Sequence, residues 1–183
     1  MRFAFCAIAL LSFPAVFAQT RVATPAATRP PIALHIPRSI QHEHDEIHAA
    51  LAEAAKATDK VRAAAADLGA VLHPHLVREE QIALPLLGLL AGLSTGHSLK
   101  ITESADALTM ADSLRREMPR MLEEHKRIKA AVQALKAAAR ADGSARYEQL
   151  ADRLALHAQT EEEVLYPAAI LAGDVVRGRM PQK

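Results

Sequence analysis

The chain has 183 residues, which suits one domain, and 50% of them are of hydrophobic types, so a sizeable core can form. Its 22 Lys and Arg nearly balance its 21 Asp and Glu, which gives no general attraction to nucleic acid or to an anionic membrane surface. Ala, Leu, Glu, Lys and Arg dominate, and alternating apolar runs are hard to find. The chain is therefore predicted to be all-α.

The first 18 residues have the pattern of a secretory signal peptide. Arg2 gives a positive start, a short apolar run follows, and Val16 and Ala18 are small residues where signal peptidase prefers them. Cleavage near Ala18 on a Sec-type pathway predicts a periplasmic or secreted protein without stable membrane insertion. An uncleaved N-terminal anchor is the alternative. The only cysteine, Cys6, lies in this segment, so the mature chain would have no thiolate ligand.

Helical periodicity follows a short tether. Residues 19–38 are rich in Pro, Ala and Thr and are predicted to stay flexible. A domain of residues 39–172 is then expected to hold four helices, the first capped by Ser39 and ended by Thr58-Asp59, the others near 60–90, 103–141 and 145–171. Residues 173–183 would be a short polar tail. The short links within each half favour an antiparallel four-helix bundle with two pseudo-repeated hairpins over a looser helical array.

One sequence frame occurs twice. Residues 75–85 read HLVREEQIALP and residues 157–167 read HAQTEEEVLYP. A further histidine precedes each frame, His44 by 31 residues and His125 by 32 residues. The midpoints of the two histidine pairs, at Asp59-Lys60 and at Ala141, coincide closely with the turn signals Thr58-Asp59 and Asp142-Gly143. If each half folds as an antiparallel hairpin, the two histidines of that half therefore lie at the same height.

The frame also places a carboxylate beside a histidine, because residues four apart share a helix face. Glu79 lies on the face of His75, and Glu161 on the face of His157. Packing of the two hairpins would bring four His and two Glu to one level. Nitrogen and carboxylate donors without thiolate suit Fe and Mn and are tolerable for Zn, and six donors exceed the four of a structural zinc. The alternative is that these residues lie on solvated helix faces, but the doubling favours a metal site.

The residues His44, HLVREE and Pro85, followed by His125, HAQTEE and Pro167, resemble the hemerythrin-like family, also called the HHE cation-binding domain. The resemblance covers about residues 40–171. It implies a four-helix bundle around two iron ions, an oxo- or hydroxo-bridged di-iron centre, with Mn or Zn less expected. It also implies four terminal histidine ligands and two bridging carboxylates, namely His44, His75, His125, His157, Glu79 and Glu161.

The chain departs from the oxygen carriers of that family, which use five His and two carboxylates. The HxxxH pair on their third helix is absent, since Lys129 stands four residues after His125. His48, four residues after His44, can be a fifth ligand or a surrounding group. Glu80 and Glu162 can accept an imidazole N–H or lie in solvent. His42 and His73 are interpreted as surface or surrounding groups, and Tyr166 as a packing residue. His35 in the tether and His97 in the loop have no partner of defined spacing.

The number of ligands indicates how many coordination positions stay open, and this bears on the function. Four His and two Glu would leave one open position on each iron, whereas a fifth His would close one of the two ions. The preferred hypothesis is an exported di-iron protein that binds iron and O2 or NO, with iron sensing or storage as related roles. The alternative is a redox enzyme that handles NO or peroxide or repairs iron centres under nitrosative or oxidative stress. The chain has no Cys pair, no CxxCH and no GxGxxG to supply electrons, and it identifies no protein partner.

Overall fold

A computed structural model of the chain describes residues 33–97 and 99–179. Within these residues the chain is helical apart from its turns and the segment 33–37, and it has no β-strand, so the all-α prediction is confirmed. The predicted signal peptide, most of the predicted tether and the last four residues lie outside this part of the chain. No helix in the described part is long and apolar enough to cross a membrane.

Two helical hairpins build the bundle. The first contains α1 (Arg38–Ala54) and α2 (Asp59–Ile82). A 3-10 segment (Leu84–Leu89) and α3 (Leu90–Ser94) then lead to the second hairpin, which contains α4 (Ile101–Ala141) and α5 (Ala145–Thr160). A π-helical turn (Glu161–Leu165) joins α5 to α6 (Tyr166–Arg179) without a break. The two hairpin turns are in contact, and the Thr58 hydroxyl donates a hydrogen bond to the Asp142 carboxylate.

Several predicted boundaries were wrong. The second helix ends at Ile82 rather than near 90, because Pro85 cannot donate a helical hydrogen bond and the chain tightens into the 3-10 segment. The final helix continues to Arg179, where a polar tail from residue 173 was predicted. Its last turns are buried against α4, and Gly173 lies so close to Ala111 that a Cβ would collide with it. At the start, Pro37 rather than Ser39 caps α1.

Residues 33–37 are packed rather than free, which corrects the end of the predicted tether. Leu34 and Ile36 lie against the apolar core, and the His35 N–H donates to the Pro85 carbonyl at 3.2 Å. Gly88 permits this approach, since a Cβ there would collide with the backbone oxygen of His35. The segment is thereby fixed across the 3-10 turn.

Two apolar clusters fill the interior. One is built around Leu68, Leu135 and Leu154 near the hairpin turns, and the other around Leu86 and Leu114 at the opposite end. Along each long helix, the predicted ligands lie between residues of the two clusters. A polar layer is therefore enclosed by hydrocarbon on both sides.

Candidate metal centre

The six predicted ligands meet in that polar layer. All are buried, and none is more than 5% exposed. They form two groups in which one possible ligand atom from each residue lies within 4.8 Å of the others. The groups are His44, His157, Glu79 and Glu161, and His75, His125, Glu79 and Glu161. Each group takes one histidine from each hairpin, and both groups share both carboxylates, which is an arrangement for two ions.

A second carboxylate faces the outer nitrogen, Nδ1, of every one of these histidines. The distances are 3.0 Å for His44 and Glu80, 3.0 Å for His75 and Glu124, 2.8 Å for His125 and Glu162, and 3.1 Å for His157 and Glu43. An ionised carboxylate only accepts hydrogen bonds, so it favours the tautomer with the proton on Nδ1. The electron pair on each Nε2 is then directed into the centre, as metal binding requires.

Two of these carboxylates, Glu43 and Glu124, were missed by the sequence reasoning. A signal existed, because each stands directly before one of the paired histidines, His44 and His125. The contacts cross the molecule, however. Glu124 of the second hairpin orients His75 of the first, and Glu43 of the first faces the last histidine of the second. These pairs therefore tie the two halves together.

The residues present fit a pair of metal ions. Four buried atoms of the first group have no hydrogen-bond partner within the described residues: Nε2 of His44 and His157, Oε2 of Glu79 and Oε1 of Glu161. Nε2 of His157 does lie 2.9 Å from Oε1 of Glu161, but without hydrogen-bond alignment. Buried polar atoms without partners are costly. A cation between them would satisfy all four.

The second group also needs a cation or a proton, for a different reason. Nε2 of His75 and Nε2 of His125 are 2.7 Å apart. Because Glu124 and Glu162 hold the Nδ1 protons of these rings, two electron pairs would face each other at contact distance. A proton or a metal ion between them removes the repulsion.

The electrostatics of the metal-free centre show how protons would compete with a metal. Burial opposes protonation of His157, but the Glu161 carboxylate outweighs it and raises the pKa to about 9. Burial and the neighbouring Glu161 raise the pKa of Glu79. Burial also favours the neutral form of Glu161, yet three surrounding imidazoles lower its pKa well below the usual value. Metal binding would replace these protons.

Tyr166 is a further residue of the centre, although it was predicted to be a packing residue only. Its ring is buried and stacks on that of His125, with centroids 5.6 Å apart. Its hydroxyl donates to Glu79 and lies 3.1 Å from Nε2 of His125 and 3.3 Å from Nε2 of His75. Burial, together with the Glu79 and Glu161 carboxylates, raises its pKa.

The π-helical turn explains how Tyr166 reaches the centre. Its backbone N–H bonds to the carbonyl of Glu161, five residues earlier. This wider turn brings residues five apart onto nearly one face, whereas an α-helix does so for residues four apart. Pro167 follows and cannot donate to a preceding carbonyl. Glu161 and Tyr166 therefore both point inward.

His48 is not brought into the centre. Neither ligand group includes it, and its ring packs edge-on against that of His73, with centroids 5.5 Å apart. Its counterpart Lys129 donates to Glu162 at 2.8 Å and supports the carboxylate that holds His125. The geometry thus gives no support to a fifth histidine ligand.

Comparison with known proteins bears on the second half of the chain. The family model of the hemerythrin HHE cation binding domain matches residues 116–181. This range contains His125, His157 and Glu161, and over these residues the match confirms the predicted resemblance. No curated protein and no solved structure matches significantly. The family match and the buried His/Glu cluster together indicate a metal-binding domain, for which iron is the typical metal.

Proposed function

We propose that the protein is an exported non-haem di-iron protein that binds iron and a small diatomic ligand, O2 or NO, and that its related roles are iron sensing or storage. The observation that carries the proposal is the sharing of Glu79 and Glu161 by both four-residue groups. Two ions held by common carboxylates would be close enough to act on one ligand. Bound iron would supply open coordination positions and a reversible change of oxidation state.

The chain's own residues would hold and orient that centre. Four imidazoles supply nitrogen donors, and four outer carboxylates keep the Nε2 electron pairs directed inward. The apolar clusters above and below exclude water, which strengthens every charge interaction in the layer. The donor set of imidazole and carboxylate favours iron over a structural zinc site.

A surface cavity that reaches His157 would supply a route to the centre. It lies between α1 and α5 and has a volume of about 440 Å³. Glu43, Ile47, Leu156 and the predicted ligand His157 all line it. A diatomic molecule is far smaller than this space, so this cavity would admit the ligand to the side of His157.

The first test is anaerobic loading of residues 19–183 with Fe(II), followed by metal analysis and visible spectra before and after exposure to air. Close to two irons per chain are expected, and Glu79→Ala should lose both, because it removes a donor from each group. Glu163→Ala is the matched control, since Glu163 is exposed and bonds only to Gln159 within the described residues. One zinc or no metal in the wild-type protein would contradict the proposal.

Spectra with NO and with O2 would then separate the functional classes. A stable, reversible adduct supports a binding protein. Sustained consumption of NO or peroxide with an added electron donor would assign the redox enzyme instead.

Export is proposed from residues 1–18 alone and has its own test. Expression of the full chain in a Gram-negative host, fractionation and N-terminal sequencing should give a periplasmic protein that begins at Gln19. A cytoplasmic product that keeps Met1 would refute this part and leave the metal centre unaffected.

A further inference from the structure

We propose that Tyr166 is a seventh ligand, which binds through its phenolate the metal position between His75 and His125, and that the position between His44 and His157 is the open one. This inference deepens the proposed function and rests on it. It would make the two metal positions unequal, although the sequence repeat that builds them is nearly symmetric.

The distances around the Tyr166 hydroxyl oxygen support its assignment as a ligand. Two donor atoms on one ion, at right angles and with bonds of about 2.1 Å, lie about 3 Å apart. The Tyr166 hydroxyl oxygen lies 3.1 Å and 3.3 Å from the two Nε2 atoms of this position and contacts Glu79 directly. Those Nε2 atoms are themselves 3.4 Å from the nearest oxygens of Glu79 and Glu161. Five donor atoms therefore surround one point.

At the other metal position, the frame has a leucine in place of such a donor. The frame that pairs Pro85 with Pro167 pairs Leu84 with Tyr166. Leu84 is completely buried and offers only hydrocarbon. The position between His44 and His157 is thus built from four protein atoms, and His157 is one of the residues that line the cavity between α1 and α5. An incoming ligand would find its place on this side.

The chemistry of coordination balances without a redox step. The phenol O–H bond breaks, an oxygen–metal bond forms, and the proton is released to solvent. No electron moves. Release of protons on metal binding is general for ligands that must be deprotonated, and a bound cation favours the anionic form of an adjacent group.

The test uses the ferric, two-iron protein and has a spectroscopic readout. The wild type should show a phenolate-to-iron charge-transfer band in the visible, with tyrosinate vibrations enhanced by excitation in that band. Tyr166→Phe should lose both and keep two irons per chain. The chain offers a matched control in its only other tyrosine, Tyr147, whose hydroxyl donates to the Glu53 carbonyl at 3.3 Å outside the centre. Tyr147→Phe should keep the band.

Ligand stoichiometry gives a second readout on the ferrous protein. One NO per chain is expected for the wild type and two for Tyr166→Phe, because the substitution would open the second position. Two NO per chain in the wild type would overturn the inference.

The outcomes separate this inference from the proposed function. Two irons per chain without enhanced tyrosinate vibrations would overturn the tyrosine assignment alone. A wild type that takes up no iron would remove both proposals. The vibrational spectrum needs no variant, so it decides the matter even if Tyr166→Phe fails to fold.

Discussion

Substitution of Glu124 by Gln should weaken metal binding without touching a predicted ligand. Glu124 has only 15% of its side chain exposed, and one of its oxygens lies 3.0 Å from Nδ1 of His75. Its other oxygen accepts from Arg120 at 2.9 Å, which fixes the carboxylate. Gln keeps the shape but loses the charge that holds the Nδ1 proton. Loss of such a partner costs 10- to 100-fold in metal affinity, or about 1.4–2.7 kcal/mol.

The four outer carboxylates differ in burial, and this difference predicts the order in which their substitution weakens metal binding. Their exposed side-chain fractions are 15% for Glu124, 26% for Glu162, 32% for Glu80 and 51% for Glu43. Solvent screens the more exposed charges, so Glu124→Gln should have the largest effect and Glu43→Gln the smallest.

The assay is anaerobic competition for Fe(II) with a chromophoric chelator. Glu123→Gln is the matched control, because Glu123 is the neighbouring residue, is exposed, and pairs with Lys126 outside the centre. Equal affinities for the Glu124 and Glu123 variants would refute the role of the outer carboxylate. A larger loss in Glu43→Gln than in Glu124→Gln would refute the ranking by burial.

Four further predictions concern the centre and the fold. His44→Ala removes a donor from one group only, so metal analysis should find one iron per chain, and the loss of both would contradict the two-group geometry. Gly88→Ala would force a Cβ into the backbone of the 33–37 segment and should destabilise the protein by about 1–3 kcal/mol in urea unfolding. Gly69→Ala, with nothing within 4 Å of the added carbon, should instead stabilise it by about 0.5–1 kcal/mol. In the metal-free protein the raised pKa of His157, about 9, contributes stability that is present below its ordinary pKa near 6.5 and is lost as pH rises to 9. The urea midpoint should fall over this window, and a flat profile would contradict the shift.

The sequence alone placed all six central residues because helix geometry is regular. Spacing of four residues puts Glu79 beside His75, and a turn midway between His44 and His75 sets the two histidines at one height. These relations depend only on rise and residues per turn. They survive errors of several residues in the helix ends, such as the early end of α2.

The histidine that each outer carboxylate contacts could not be derived in that way. Glu80 sits beside Glu79 in sequence, but its partner, His44, belongs to the neighbouring helix, and the partner of Glu124 belongs to the other hairpin. Such contacts depend on how each helix is rotated about its axis. Local periodicity does not specify that rotation for a polar side chain at the edge of the interior.

The missed helical tail and the missed ordered segment have the same physical origin. Composition predicted solvent exposure for the residues after 172 and flexibility for those before 39. Tertiary contacts outweighed composition in both places: Val176 is buried against the core, and residues 33–37 are held by the Pro85 carbonyl. Local propensity is a weak guide wherever a few apolar residues can reach an existing core.

The role of Tyr166 could not be predicted from the repeated sequence frame. The repeated frame assigns equal roles to its two halves, yet residues 84 and 166 differ as leucine and tyrosine. The first half forms a 3-10 segment at its proline, whereas the second half forms a π-helical turn just before its proline. The wider turn carries a hydroxyl into the centre, and the tighter one carries a hydrocarbon side chain. Two metal positions that each have two histidines and share both carboxylates would therefore differ in a single donor, which is the difference that ligand binding at one ion requires.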